Sequence, residues 1–191
     1  MDPLHLDPKK TALVLIDLQN GIVARTTAPY SPAEIVKNGN RLAKACRARG
    51  ATVVYVRVDM GNFLNLPVDE PSRDPSAPPP PAIASELVPE AGFQSGDVLI
   101  TKRHWGAFAG TELERTLRQR GIDTVVLGGI STNMGVESTA RQGTGLGFAF
   151  VIVEDVCASS MGEEAHGFAF EKIFPRLAGV QKTDEAVAGL R

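Results

Sequence analysis

The chain has 191 residues, 43% hydrophobic and 22% charged, with a formal net charge of −2, enough for one sizeable core and too few for two comfortable ones. That near-neutral balance offers no basic face for nucleic acid or an anionic membrane, and no apolar run reaches the ~18 residues of a spanning helix. The opening "MDPLHLDPKK" places acids and prolines where a leader needs basic residues and then an apolar stretch, so a cytoplasmic protein of one domain, residues 1–191, is expected.

In chain order, the first element is "TALVLID" (Thr11–Asp17), an apolar run that does not alternate. Such runs are strands covered on both faces, as in a parallel sheet. "SPAE" then opens a helix, with Ser31 as N-cap, Pro32 in first position and Glu34 completing a capping box. Ile35, Leu42 and Cys46 fall on its inner face, and Gly50 stops it. "TVVYVRVD" (Thr52–Asp59) is a second buried strand. The stretch Met60–Gly96 breaks the pattern, with seven prolines between Pro71 and Glu90. A proline-rich loop of this length is either a stiff flap over the strand ends or a surface excursion or subunit contact.

"DVLITK" (Asp97–Lys102) is the third strand. A helix from about Thr111 to Arg120 follows, with Leu113 and Leu117 inward and Gly121 as stop. "TVVLGGI" (Thr124–Ile130) leads into a helix starting near Asn133, and "FAFVIVED" (Phe148–Asp155) is the fifth strand. "SMGE" offers a second capping box, Ser160 with Glu163, for a helix ending before Pro175. "GVQK" (Gly179–Lys182) is a short sixth strand, and Thr183, Asp184 and Glu185 suit the start of a last helix. This alternation predicts a three-layer α/β/α doubly wound sheet of about six parallel strands. Ligands in such folds bind beyond the carboxyl ends of the strands, where strand order reverses.

That rule directs attention to a few residues. Asp17 ends a buried strand, where partial desolvation raises a carboxyl pKa and suits a general acid or base; an aspartate capping a loop suits the position equally. Lys102 ends another strand, and a cation near Asp17 would pull its pKa down again. Trp105 and Phe108 follow closely, as core or as pocket wall. In "GGISTNMG", Ser131 or Thr132 can cap the helix, and amides of its first turn could receive an anion. "GTGLG" (Gly143–Gly147) precedes a strand and lacks dinucleotide-loop spacing, so it reads as a helix stop. With no phosphate loop, no CxxC and three scattered histidines, neither cofactor nor metal is expected.

Three blocks together resemble the isochorismatase-like hydrolases, or cysteine hydrolases: "LVLIDLQNGI", "TKRHWGAFAGTELERTLRQRGIDTVVLGGISTNMGVESTARQ" and "VIVEDVCAS". The resemblance spans almost the whole chain. It implies a six-stranded parallel sheet, a homo-oligomer (dimer or tetramer), a small-molecule substrate, a cis peptide at Ile130–Ser131 and a triad of aspartate, lysine and cysteine. Asp17 and Lys102 match the first two members. The cysteine position holds Gly135, as in the branch that hydrolyses isochorismate, a vinyl ether, without a nucleophile. Cys46 and Cys157 sit in helix and strand contexts that suit buried packing. The expected site is therefore Asp17 as acid or base, Lys102 as its cation and Gly135 in the vacated nucleophile position. Gln19, Arg57, Trp105, Phe108, Ile130, Ser131, Asn133 and Met134 are expected around the substrate. Acid–base hydrolysis of a carboxylate-bearing substrate leads; an amide or ureido hydrolase using activated water, and a metabolite-binding protein without turnover, are the alternatives.

Overall fold

Six strands, β1 (Thr11–Ile16), β2 (Thr52–Val58), β3 (Val98–Lys102), β4 (Thr124–Ile130), β5 (Ala149–Ala158) and β6 (Gly179–Gln181), form one parallel sheet in a computed structural model that describes residues 5–74 and 76–191. The start of the opening stretch weighed as a leader, and Pro75 of the proline-rich loop, lie outside the described residues. Strand order is β3-β2-β1-β4-β5-β6, so the direction of winding reverses between β1 and β4. No described helix is long and apolar enough to cross a membrane.

The unbroken apolar runs are explained by two cores, one on each face of the sheet. Strand alternation sends Leu13 and Leu15 of β1 to one side and Ala12, Val14 and Ile16 to the other. The first core is covered by α2 (Pro32–Ala48) and α6 (Thr183–Gly189), through Ile35, Leu42, Cys46 and Ala186. The second lies under α3 (Leu113–Gln119), α4 (Glu137–Gly145) and the segment after α5 (Glu163–Phe168), through Leu113, Leu117, Ala140 and Phe174. A short α1 (Asn20–Val23), with no capping signal in the sequence, follows β1.

The capping box of α2 forms as expected, with Ser31 Oγ accepting from the Glu34 amide and Glu34 Oε2 accepting from the Ser31 amide. The second expected box does not form. Gly162, not Ser160, stands at the N-cap of α5, because the Ser160 hydroxyl and amide both donate to Ser131 Oγ, at 3.3 and 2.9 Å. β5 also runs three residues beyond its expected end at Asp155. Its pairing with β4 shifts between Ile152, opposite Leu127, and Cys157, opposite Gly129. The intervening bulge carries Glu154 and Asp155 out of the ladder, and Asp155 Oδ1 accepts from the Thr183 amide and hydroxyl at the start of α6.

Candidate active site

At the reversal point, β1 hands over to Asp17, whose backbone is left-handed at φ 58°. An aspartate tolerates this region better than most side chains. Its amide donates to Val56 O at 2.8 Å, and Gln19 fastens the turn from behind. Gln19 Nε2 donates to Val58 O (2.9 Å) and Ala84 O (3.0 Å), and its Oε1 accepts from Val58 N (2.7 Å). Gln19 is fully buried. Expected beside the substrate, it instead clamps β1 to β2 and to the loop of residues 60–96.

Lys102 comes from the end of β3 and reaches Asp17 Oδ2 with its Nζ at 2.7 Å, both side chains nearly inaccessible. The same ammonium donates to Trp105 O at 2.9 Å, which fixes the loop that follows. Burial pushes the Asp17 carboxyl above its ordinary range. The charge and hydrogen bond of Lys102, and the charge of Arg25, pull it down but do not cancel burial.

β4 ends in a cis peptide at Ile130–Ser131, and the chain then makes a π-helical turn, Thr132–Val136, before α4. Ser131 stands at the cap position, but its hydroxyl does not cap the turn. The Met134 and Val136 amides both return to the Ser131 carbonyl (3.1 and 3.2 Å), so these two are already spent. A Cβ on Gly135 would stand 3.4 Å from Asp17 Oδ2, 3.5 Å from Lys102 Nζ and 3.1 Å from Ile16 Cγ2. Position 135 therefore faces the buried ion pair directly and puts no side chain on it.

A cavity of about 540 Å³ opens over this pair, a size suited to a small organic molecule. Asp17, Lys102, Trp105, Ile130, Ser131, Met134 and Gly135 line it. Three other expected residues do not. Arg57 lies one residue before the lining Val58, so strand alternation turns it to the opposite face, where its Nε meets Thr101 Oγ1 at 3.1 Å. Phe108 is core, stacked on Phe148 and packed where Gly143 has no side chain. Asn133 sits behind the wall, its Oδ1 accepting from Ser159 Oγ (2.6 Å) and Ser131 Oγ (3.3 Å). In their place the cavity takes Arg25, Phe63 and Met161, together with Glu70 and Arg73 from the proline-rich loop. Composition marked that loop as a possible flap, but no spacing in the sequence distinguished Arg25 or Arg73 from surface arginines.

Beneath the π turn, Thr132 Oγ1 lies 2.9 Å from Nδ1 of the buried His166. His166 Nε2 is 3.5 Å from Glu154 Oε1. The Glu154 carboxylate also receives the Tyr30 hydroxyl at 3.0 Å and pairs with Lys182. Burial holds the His166 pKa below its ordinary value, against the raising effect of Glu154. Both cysteines are fully buried in the cores, and burial pushes the Cys46 thiol up to about 12 and that of Cys157 higher still. Neither is a nucleophile in waiting.

The profile of the isochorismatase domain matches residues 11–185. The chain is 44% identical over 199 residues to YecD, an isochorismatase family protein of Escherichia coli O157:H7, covering 98% of this chain and 100% of that one. It superposes with a TM-score of 0.90 on an isochorismatase family protein from Burkholderia thailandensis, at 39% identity and 99% coverage of each chain. A more distant relative is the ureidoacrylate amidohydrolase RutB of Pseudomonas syringae pv. syringae, 27% identical over 213 residues, 96% of this chain and 85% of that one.

Proposed function

The chain belongs to the isochorismatase family of hydrolases, and from that premise we propose that it cleaves a small carboxylate-bearing substrate, an isochorismate-like vinyl ether, by acid–base chemistry without a covalent intermediate. One observation carries the reading: Gly135 leaves the buried Asp17–Lys102 pair open to the cavity with no thiol over it. Thiolate attack therefore has no agent, whereas a vinyl ether needs a proton donor and water.

Burial favours the protonated form of Asp17, so its carboxyl can hold the proton that the reaction needs. Asp17 gives that proton to the terminal vinyl carbon, and the ether carbon becomes an oxocarbenium ion. Water adds there and returns a proton to Asp17. The hemiketal then breaks its C–O bond as its hydroxyl proton passes to the departing oxygen, giving the alcohol and pyruvate. Lys102, 2.7 Å from Asp17 Oδ2, stabilises the carboxylate formed when the proton leaves. Trp105, Ile130, Ser131 and Met134 shape the space around the reacting carbon.

Water-driven hydrolysis of a ureido amide is the second reading, favoured by the similarity to a ureidoacrylate amidohydrolase; there Asp17, as carboxylate, activates the water. The deciding experiment measures pyruvate release from isochorismate and ammonia release from ureidoacrylate, with wild type and Asp17→Asn. Pyruvate release lost by at least about 100-fold in the variant is the expected result. Turnover of ureidoacrylate alone moves the assignment to the second reading.

A further inference from the structure

Resting on the reading above for which end of the cavity reacts, we propose that Arg25 and Arg73 form the seat of the substrate carboxylate and select small carboxylates with a flat apolar body. Both residues line the cavity that contains Asp17 and Lys102. Neither takes part in an ion pair among the described residues, whereas Arg41, Arg47, Arg115, Arg118 and Arg141 each meet an acid. Their hydrogen bonds also leave donors free. Arg25 gives its Nε to Gly21 O at 3.3 Å, and Arg73 gives one terminal nitrogen to Ala77 O. A guanidinium with spare N–H groups matches a carboxylate in two-point geometry.

The competing seats are partly occupied. The Lys102 ammonium gives two of its three N–H groups to Asp17 and Trp105 O, and its charge is paired with Asp17. The Met134 and Val136 amides, which a helix-start anion site would use, are bonded to Ser131 O. Glu70 also lines the cavity and opposes an anion, but it is exposed and unpaired among the described residues. Two unpaired arginines against one unpaired glutamate leave the mouth net positive. The body of the ligand is selected by the walls. Phe63 and Trp105 meet edge to face with ring centroids 5.1 Å apart, and Met134 and Met161 also line the cavity. Arg73 belongs to the proline-rich loop, so the anionic end of the substrate is what ties that loop over the site.

Trp105 is the chain's single tryptophan, so its fluorescence reports occupancy of this cavity. The test titrates the whole protein with cyclohex-1-ene-1-carboxylate and with the matching neutral amide. Wild type is expected to bind the carboxylate saturably, at least about tenfold tighter than the amide, with the preference shrinking as salt rises. Arg25→Gln and Arg73→Gln are each expected to weaken the carboxylate at least about tenfold and leave the amide unchanged. Arg25→Lys is expected to recover part of the loss, and circular dichroism controls for folding. No saturable carboxylate binding by wild type, equal binding of acid and amide, or indifference to both arginine substitutions overturns the proposal. Asp17→Asn keeps the arginine-dependent binding if this seat is correct, even where isochorismate yields no pyruvate, so the two readings fail separately.

Discussion

Lys102 Nζ and Asp17 Oδ2 meet at 2.7 Å across the end of the sheet, each buried, each delivered by a different strand end. The lysine pulls the Asp17 pKa down against burial. With Asp17 as the acid, the rate falls as pH rises through its pKa and the proton is lost. Lys102→Met removes the downward pull, so the alkaline limb of kcat for pyruvate release moves to higher pH, while kcat itself drops by about 100-fold. A lysine that served only the fold would lower the rate without moving that limb.

Gly135→Cys should fold, because a new Cβ meets only Ile16 Cγ2 tightly, at 3.1 Å, and stands at ordinary contact distance, 3.4 and 3.5 Å, from Asp17 Oδ2 and Lys102 Nζ. Relief of glycine's helix penalty offsets the tight contact with Ile16, and the net stability change stays within about 1 kcal/mol. The new thiol borders Lys102 and faces the cavity, which favours its thiolate. Native iodoacetamide treatment should add one label to the variant and none to wild type, read by intact mass. Unlabelled variant protein would mean that position 135 does not face the cavity.

Gln19→Leu removes three buried hydrogen bonds and strands the Val58 N–H and C=O. The expected cost is about 2–4 kcal/mol, seen as a lower urea midpoint. Activity should fall even in the fraction that remains folded, because the turn that aims Asp17 loses its anchor. A substrate-contacting glutamine would instead raise KM with stability intact.

His166 makes a pH-dependent contribution whose sign follows from its depressed pKa. The unfolded chain takes up a proton near the ordinary value of 6.5, while the folded chain resists until lower pH. The stabilising share is complete above 6.5 and is lost as pH falls from there toward the folded pKa. Glu154 and Glu163 counter the shift, and Lys182 adds to it. Urea unfolding at pH 7.5 and 5.5 should therefore show a smaller acid loss for His166→Gln than for wild type. An equal loss in both would remove His166 from the account.

Much of this arrangement was legible in the sequence because two-sided burial leaves a plain mark. The runs at Thr11, Thr52 and Thr124 have the pattern of covered strands, and their ends located Asp17 and the Ser131 turn. The resemblance then brought Lys102 and Gly135 to the same place. The errors fall where a neighbour in space decides. Ser160 looked like a cap until Ser131 competed for it. Phe108 looked like pocket wall until Gly143 opened a slot in the core. Arg57 is expected around the substrate, but the parity of β2 turns it away, and a loop with no periodicity supplies Arg73 instead.

The order β3-β2-β1-β4-β5-β6 places Lys102 on an outer strand. Asp17 and Ser131 hang from β1 and β4 at the centre, whereas β3 has one sheet partner and a half-open burial pattern beside the fully buried β1. Edge strands open locally at lower free energy than the strands they flank. The ion pair can therefore come apart with only the Ile100 edge of the second core disturbed, and gentle heating or low denaturant should silence the protein before it unfolds. Durability of activity and durability of fold are separate quantities in this molecule, and reinforcing the β2–β3 seam would raise the first while barely changing the second.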